Sequence, residues 1–315
     1  IIYNFPILFK KSIEFYNNEG KNHFKVMKAL LIQPLAYSKY PGMPMGLVYT
    51  GTALENAGHE VQLIDLSANP LTDEELMLDI AYSDVVLIGG TAVSRPEAYD
   101  MARLVKKVGP TIPVIKGGPD VKWTDNTSLY YKNFDYVIIG KGEAAPELLN
   151  SISRGEAKER EFNVSATFDQ MPVPNRNLLY NQNKGYYDFL GEGTAQIRYS
   201  RGCDFRCLYC DSDELNKTSL DDVFKDIEMV SDQGFKNLHW DDAVFTINKE
   251  YVDKILGKLM NYNFEMSCQT RSGINTDLKI LTTMKRAGFF SMTLALESGI
   301  MKYVQEITEA MLMKL

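Results

Sequence analysis

From Lys28 onward, short apolar runs alternate with segments whose apolar positions recur at helical spacing. The runs are 29–32 (ALLI), 61–64 (VQLI), 85–88 (VVLI), 113–115 (PVI) and 136–139 (YVII). Each is short and rich in β-branched residues, the pattern of strands covered on both faces of a parallel sheet. Helices are predicted between them near 46–57, 73–81, 96–108, 124–131 and 143–152. Five βα units in succession predict an α/β fold, a flavodoxin-like doubly wound parallel sheet. Ligands of such sheets bind beyond the carboxyl ends of the strands. Here those ends read Pro44-Met45-Gly46, Gly89-Gly90-Thr91, Gly117-Gly118-Pro119 and Gly140-Lys141-Gly142. Gly46, Thr91, Gly117, Gly118 and Gly140 are therefore candidate ligand-edge residues, with plain tight turns as the alternative.

The alternation lapses over 153–193, a polar stretch carrying Pro172, Pro174, Gly185, Gly191 and Gly193, as expected of an interdomain linker. It resumes with candidate strands at 195–200, 235–240, 264–269 and 291–296 and helices near 219–232, 249–261, 276–287 and 300–313. About four βα units fit there, half of an eight-unit barrel. The expected organisation is an extension over 1–26, a first domain over 27–152, a linker over 153–193 and a partial (βα) barrel over 194–315. Residues 1–9 precede Lys10 and Lys11, whereas a signal peptide carries its charge before the apolar stretch.

Composition narrows the function classes. The 315 residues carry a net charge of −7, the wrong sign for general attraction to nucleic acid or anionic lipid. No apolar stretch approaches the ~18 residues of a membrane span. Only four cysteines occur and three lie within eight positions, a pattern of metal binding in a reducing cytoplasm rather than of secreted disulfides.

Those three form Cys203-x-x-x-Cys207-x-x-Cys210, directly after the first strand of the second domain. Three thiolates on one loop can hold three corners of a cubane iron–sulfur cluster and leave the fourth iron open. Zinc is the competing reading, although structural zinc takes four closed ligands; Cys268 is far along the chain and no histidine is nearby. Buried inert cysteines are a third reading, poorly suited to a polar, glycine-led loop.

The segment Ser200-Arg201-Gly202-Cys203-Asp204-Phe205-Arg206-Cys207-Leu208-Tyr209-Cys210 resembles the signature loop of the radical S-adenosylmethionine (SAM) enzymes, with Asp204 where proline is common. Trp240-Asp241-Asp242, Gln269-Thr270-Arg271 and Glu297-Ser298-Gly299 follow in order at strand ends. The first domain, with Gly58-His59-Glu60-Val61, Gly117-Gly118-Pro119 and Gly140-Lys141-Gly142-Glu143, is similar to the cobalamin-binding domain preceding the core in one subfamily. Pro172-Val173-Pro174-Asn175-Arg176 is similar to that subfamily's linker. Asp120, where histidine commonly follows Gly-Gly-Pro, and Lys141, where glutamate is usual, depart from it. No Asp-x-His-x-x-Gly cobalt-ligand motif is present, and His59 lies at the amino end of its strand, a capping or surface position.

The resemblance implies a [4Fe–4S] cluster on Cys203, Cys207 and Cys210, SAM on its open iron and cobalamin on the glycine edge. It implies SAM contacts from Asp242 (with Asp241 weaker), Arg271 and Glu297, and packing of Tyr209 on cluster or adenine. It also implies a small-molecule substrate and an external electron donor such as flavodoxin or ferredoxin. The expected activity is reductive SAM cleavage to a 5′-deoxyadenosyl radical, for methyl transfer to an unactivated carbon or for ring remodelling. The alternative is a non-catalytic cofactor-binding protein whose short barrel cannot complete the SAM site, and slow, uncoupled SAM cleavage at most is expected of this chain.

Overall fold

The computed structural model describes residues 25–36, 42–122, 127–163, 171–179, 186–188, 191–210, 212–273 and 275–295. Residues 1–24, Glu297 and the helix expected over 300–313 lie outside the described residues.

The first domain runs β1 (Lys28–Gln33), α1 (Met45–Asn56), β2 (Glu60–Asp65), α2 (Asp73–Ala81), β3 (Val85–Ile88), α3 (Arg95–Val108), β4 (Val114–Lys116), the single-turn α4 (Pro119–Lys122), β5 (Tyr136–Ile139), α5 (Ala145–Ser153) and β6 (Glu161–Asn163). Its strands form one parallel sheet in the order β2-β1-β3-β4-β5-β6, the doubly wound arrangement that the apolar runs predict. Successive strand residues point to opposite faces, so each run feeds two cores. Leu31, Leu63 and Leu87 pack with Val48, Leu54 and Leu148 beneath α1 and α5. Ile32, Ile64 and Ile88 pack with Leu76, Ile80 and Val105 beneath α2 and α3. Each such aliphatic side chain contributes about 1.5–3 kcal/mol when fully buried.

Two details differ from the expected elements. In place of a helix over 124–131 the described residues give α4 and a 3-10 turn at Thr127–Leu129. The sixth strand, β6, falls in the stretch assigned to the linker. Its Glu-Phe-Asn sequence has exposed polar ends, as an edge strand permits, and so carries no apolar signal.

The linker holds a short ladder of β7 (Tyr187–Asp188) and β8 (Gly191–Glu192). The second domain follows with β9 (Thr194–Ile197), β10 (Ser200–Arg201), β11 (Asn216–Lys217), α6 (Leu220–Asp232), β12 (Asn237–Trp240), α7 (Lys249–Leu259), β13 (Glu265–Arg271), α8 (Leu278–Ala287) and β14 (Phe289–Ala295). A four-stranded parallel sheet, β14-β13-β12-β9, packs its even-numbered side chains Leu238, Trp240, Met266 and Cys268 against the helices. Side-chain caps start those helices: Ser219, Asn248 and Asp277 each accept the N–H three residues on. Gly288 ends α8 at φ 108°, packed against the Phe264 carbonyl so closely that a Cβ would collide with it.

The domains share one core. The α1/α5 side of the first sheet runs through Leu179 and Tyr186 of the linker into the helices of the second domain. The Pro172–Arg176 motif works as a staple. Asn175 donates its backbone N–H to Thr52 Oγ1 (2.9 Å) and its amide to Glu55 Oε2 (2.7 Å), both on α1. Arg176 is fully buried and pairs with Asp226 of α6, while its Nη2 also donates to the Gln196 carbonyl of β9 (2.6 Å).

Candidate functional site

The chain leaves the four-stranded sheet after Ile197, and β10 pairs antiparallel with β11 to bracket the cysteine loop. Gly202 turns the chain into the loop at φ 79°, where a Cβ would overlap the Asp213 and Glu214 carbonyls. The Cys203 N–H then donates to the Asp213 carbonyl (2.9 Å), and the Cys210 N–H to the Cys207 carbonyl (3.0 Å). Cys203 is buried, Cys207 half-buried and Cys210 exposed, and none of the three is in a disulfide. Leu208 (94% exposed) and Tyr209 (71%) project from the loop.

Opposing influences act on the thiols of the loop. Burial pushes the Cys203 thiol up, the Phe205 N–H opposes that rise, and the charges of Cys207 and Cys210 add to it. Arg271, at the carboxyl end of β13, turns onto the loop: its Nη1 lies 4.0 Å from Cys207 Sγ and its guanidinium stacks on Phe205 at 4.6 Å. A fixed cation beside a cysteine favours the thiolate, the form that ligates iron. Three thiols on one loop, with a backbone donor and a guanidinium beside them, are the type of donor set that a cluster held by three cysteines takes. Among the described residues no three His, Cys, Asp or Glu side chains converge on a point that could hold a single metal ion. Cys268 stands apart, buried at the helix-packed face of β13, its thiol pushed up to about 12 by burial and by Asp242.

The structure places Asp242 inside the protein. Its Oδ1 accepts the N–H groups of Tyr199 (3.2 Å) and Ser200 (2.7 Å) and the Ser200 hydroxyl (2.5 Å), immediately before the cysteine loop. Its Oδ2 is buried with no hydrogen-bond partner among the described residues. Burial pushes this carboxyl up to about 7, against the Ser200 hydrogen bond and Arg198. Asp242 therefore supports the entry to the loop from below, whereas Asp241 pairs with Arg198 and keeps some exposure.

Sequence reasoning missed a polar face on the second sheet. Register aligns Gln196, His239, Ser267 and Ser291 in one row, with Gln269 beside Thr293 two residues on. His239 Nδ1 and Ser267 Oγ are 2.7 Å apart across β12 and β13. Opposite this face the same strands present Leu238, Trp240, Met266 and Cys268 to the core. The signal was the alternation in 196–198, 238–241 and 266–271, which a reading of the runs as uniformly buried passes over. The loop between β1 and α1 meets the row: a Cβ on Gly42 would lie 2.7 Å from Gln196 Nε2.

On the first domain, Gly46, Thr91 and Gly140 are exposed and Gly117 and Gly118 half-buried; the last four follow strand ends, whereas Gly46, expected at such an end, lies in the first turn of α1. They divide into two kinds. Gly118 sits at φ 103° with a Cβ position 2.6 Å from the Gly90 carbonyl, so the turn itself requires glycine. Gly46 and Gly117 have no left-handed backbone, and a Cβ on either would meet nothing within 4 Å. Open space over glycines that the fold does not require fits a large ligand lying against the edge. Beneath it, the fully buried Lys116 ammonium donates to the carbonyls of Gly89 (3.1 Å) and Gly117 (2.6 Å) and faces Asp120 at 3.8 Å. Burial pushes Lys116 down to about 8, with Asp120 opposing. Asp120 is in turn gripped by the Arg95 fork, so the residue that departs from the expected histidine anchors the turns. His59 is buried rather than on the surface, accepting the Met27 N–H on Nδ1 (3.3 Å) at the amino end of the sheet.

Loop and edge are joined directly. Arg201, two residues before Cys203, forms an ion pair with Glu143 in the turn between β5 and α5. Its guanidinium stacks on Tyr49 of α1 at 4.4 Å, and Arg198 approaches the same ring at 5.8 Å.

Comparison with known proteins matches this arrangement. Residues 34–149 fit the family model of the B12 binding domain. The chain is 26% identical over 308 residues to an uncharacterised methyltransferase of Pyrococcus horikoshii, covering 87% of this chain and 66% of that protein. It is 31% identical over 194 residues to the hopanoid C-3 methylase of Methylococcus capsulatus, covering 56% of this chain and 38% of that enzyme. In structure it is similar to the radical SAM methyltransferase TsrM of Kitasatospora setae, solved with cobalamin and a [4Fe–4S] cluster bound. The TM-score is 0.70 at 17% identity, over 86% of this chain and 59% of TsrM. The fold is thus that of a B12-binding domain joined to a radical SAM core. The chain spans about two thirds or less of these relatives. No helix among the described residues is long and apolar enough to cross a membrane.

Proposed function

We propose that this protein is a cobalamin-dependent radical SAM enzyme, a methyltransferase by the names of its relatives. The observation that carries the reading is the three-thiol loop at the carboxyl end of a parallel sheet, tied by Arg201 to the edge of a B12-binding domain. Cys203, Cys207 and Cys210 would hold a [4Fe–4S] cluster, and Gly46, Thr91, Gly117, Gly118 and Gly140 would line the cobalamin. Bound together, these groups and SAM supply one-electron reduction, radical generation and methyl carriage.

The chain's own residues bind, orient and shield. Arg271 sets its guanidinium beside Cys207 and would meet a carboxylate, such as that of SAM, with its planar fork. Asp242 fixes the backbone at Tyr199 and Ser200, which aims the loop. Gln196, His239 and Ser291 would give a substrate hydrogen-bonding partners close to the loop of the first domain, with the buried Ser267 orienting the His239 ring. Tyr209 and Glu297 remain candidates for SAM, and an external one-electron donor and a small-molecule substrate complete the reaction.

Anaerobic reconstitution tests the reading. About four iron and four sulfide per chain are expected, together with one retained corrinoid. Cys203→Ala/Cys207→Ala/Cys210→Ala should abolish the iron–sulfur absorbance. Stoichiometric zinc with no iron uptake would overturn the assignment. Loading of both groups without SAM consumption under reduction would instead favour a cofactor-binding protein that does not catalyse.

A further inference from the structure

We propose that Glu143 and Arg201, clasped over Tyr49, form a latch that sets the cysteine loop against the glycine edge of the first domain. Both are positioning residues, and the inference rests on the reading that these two surfaces carry cofactors. Each partner adjoins a glycine whose backbone is packed closely on a neighbouring element. Gly140 turns the chain out of β5 at φ 107°, and Gly142 lies so close to Thr50 of α1 that a Cβ would strike its hydroxyl. Glu143 is thereby pinned to α1. On the other side, β10 is laddered to β11, and Gly202 is pressed against the Asp213 and Glu214 carbonyls. Arg201 is thereby pinned to the loop.

The pair has little freedom to act as an ordinary surface salt bridge. The Glu143 side chain is 5% exposed and that of Arg201 19%. The Arg201 guanidinium is stacked on the buried Tyr49 ring, and Arg198, which pairs with Asp241 of the second sheet, approaches that ring too. Burial raises Tyr49 to about 12, so the ring stays neutral and presents its π-face to both cations. One ring and one carboxylate of the first domain thus engage two arginines of the second, two and five residues from Cys203. A buried charge deprived of its partner is strongly unfavourable, so the pair tolerates little play between the domains. Stapling by Asn175 and Arg176 holds the domains together farther away; the latch acts where the two candidate cofactor surfaces meet.

The test is reciprocal hydrogen exchange in the full chain without cofactors. Glu143→Gln, on the first domain, should accelerate exchange about tenfold or more at the Cys203 and Thr218 amides of the second. Arg201→Lys, which keeps the charge and loses the planar group stacked on Tyr49, should do the same at the Ala144 amide. Unchanged exchange across the interface overturns the proposal. A rise that extends to the remote Gly117 amide, bonded to Ile88, assigns the pair to general folding and overturns it equally. In the chain loaded with both cofactors, Glu143→Gln should weaken the magnetic coupling between reduced cluster and cobalt(II) corrinoid while iron and cobalt contents stay within twofold. Unchanged coupling counts against the latch. Reciprocal exchange in the two variants, with a wild-type chain that binds neither cofactor, sinks the functional reading and leaves the mechanical one standing.

Discussion

Arg176 of the linker and Asp226 of α6 form an ion pair sealed from water, with the Arg176 Nη2 3.1 Å from Asp226 Oδ2 and 2.6 Å from the Gln196 carbonyl. Buried pairs are vulnerable to loss of one partner, because the charge left behind has no solvent. Asp226→Asn should therefore destabilise the chain by about 3 kcal/mol in urea unfolding. Replacing both residues together, Arg176→Met with Asp226→Leu, should cost clearly less than Asp226→Asn alone. Equal losses would mean that the pair's value lies in shape rather than charge.

The glycine edge yields a paired prediction. Gly118→Ala places a Cβ against the Gly90 carbonyl at a positive φ and should lower the midpoint of unfolding. Gly46→Ala and Gly117→Ala meet nothing in the protein and should not lower that midpoint (Gly46, in the first turn of α1, should if anything raise it), while weakening corrinoid retention several-fold. Undiminished hydroxocobalamin binding by both would remove these positions from the site.

Asp242 gives a pH signature. Its carboxyl is raised to about 7 from the ordinary 3.8, so between about pH 4 and 7 the folded chain holds a proton that the unfolded chain releases. Stability must then fall as pH rises through that window and level off above it. Asp65, raised to about 6 by burial, contributes in the same direction. Asp242→Asn should flatten the Asp242 part of the slope, bringing its stability relative to wild type upward from pH 4 to pH 7. A parallel pair of stability curves would contradict the raised value.

Gly202→Ala leaves every cysteine in place but drives a Cβ into the Asp213 and Glu214 carbonyls. Iron uptake on reconstitution should drop severalfold, and Cys268→Ala should leave it unchanged. Full iron loading in Gly202→Ala would show that the turn is not needed to shape the loop.

Much of this was legible in the chain. Apolar runs such as 85–88 and 136–139 specify buried strands because a parallel sheet covered on both faces favours apolar side chains, and local spacing alone reveals them. The cysteine loop is equally local: its three thiols lie within eight positions, so their spacing is determined by the sequence alone. What lay beyond reach is the partnering of distant residues. Asp242 reads as a strand-end ligand, but the fold turns it inward onto Tyr199 and Ser200. Arg271 reads as a free fork, yet packing on Phe205 delivers it to Cys207. Glu143 and Arg201 are 58 residues apart and meet only when two independently patterned domains dock. Periodicity reports which face of an element is buried; it carries no information about which buried charge faces which, because that depends on the relative placement of whole sheets and helices.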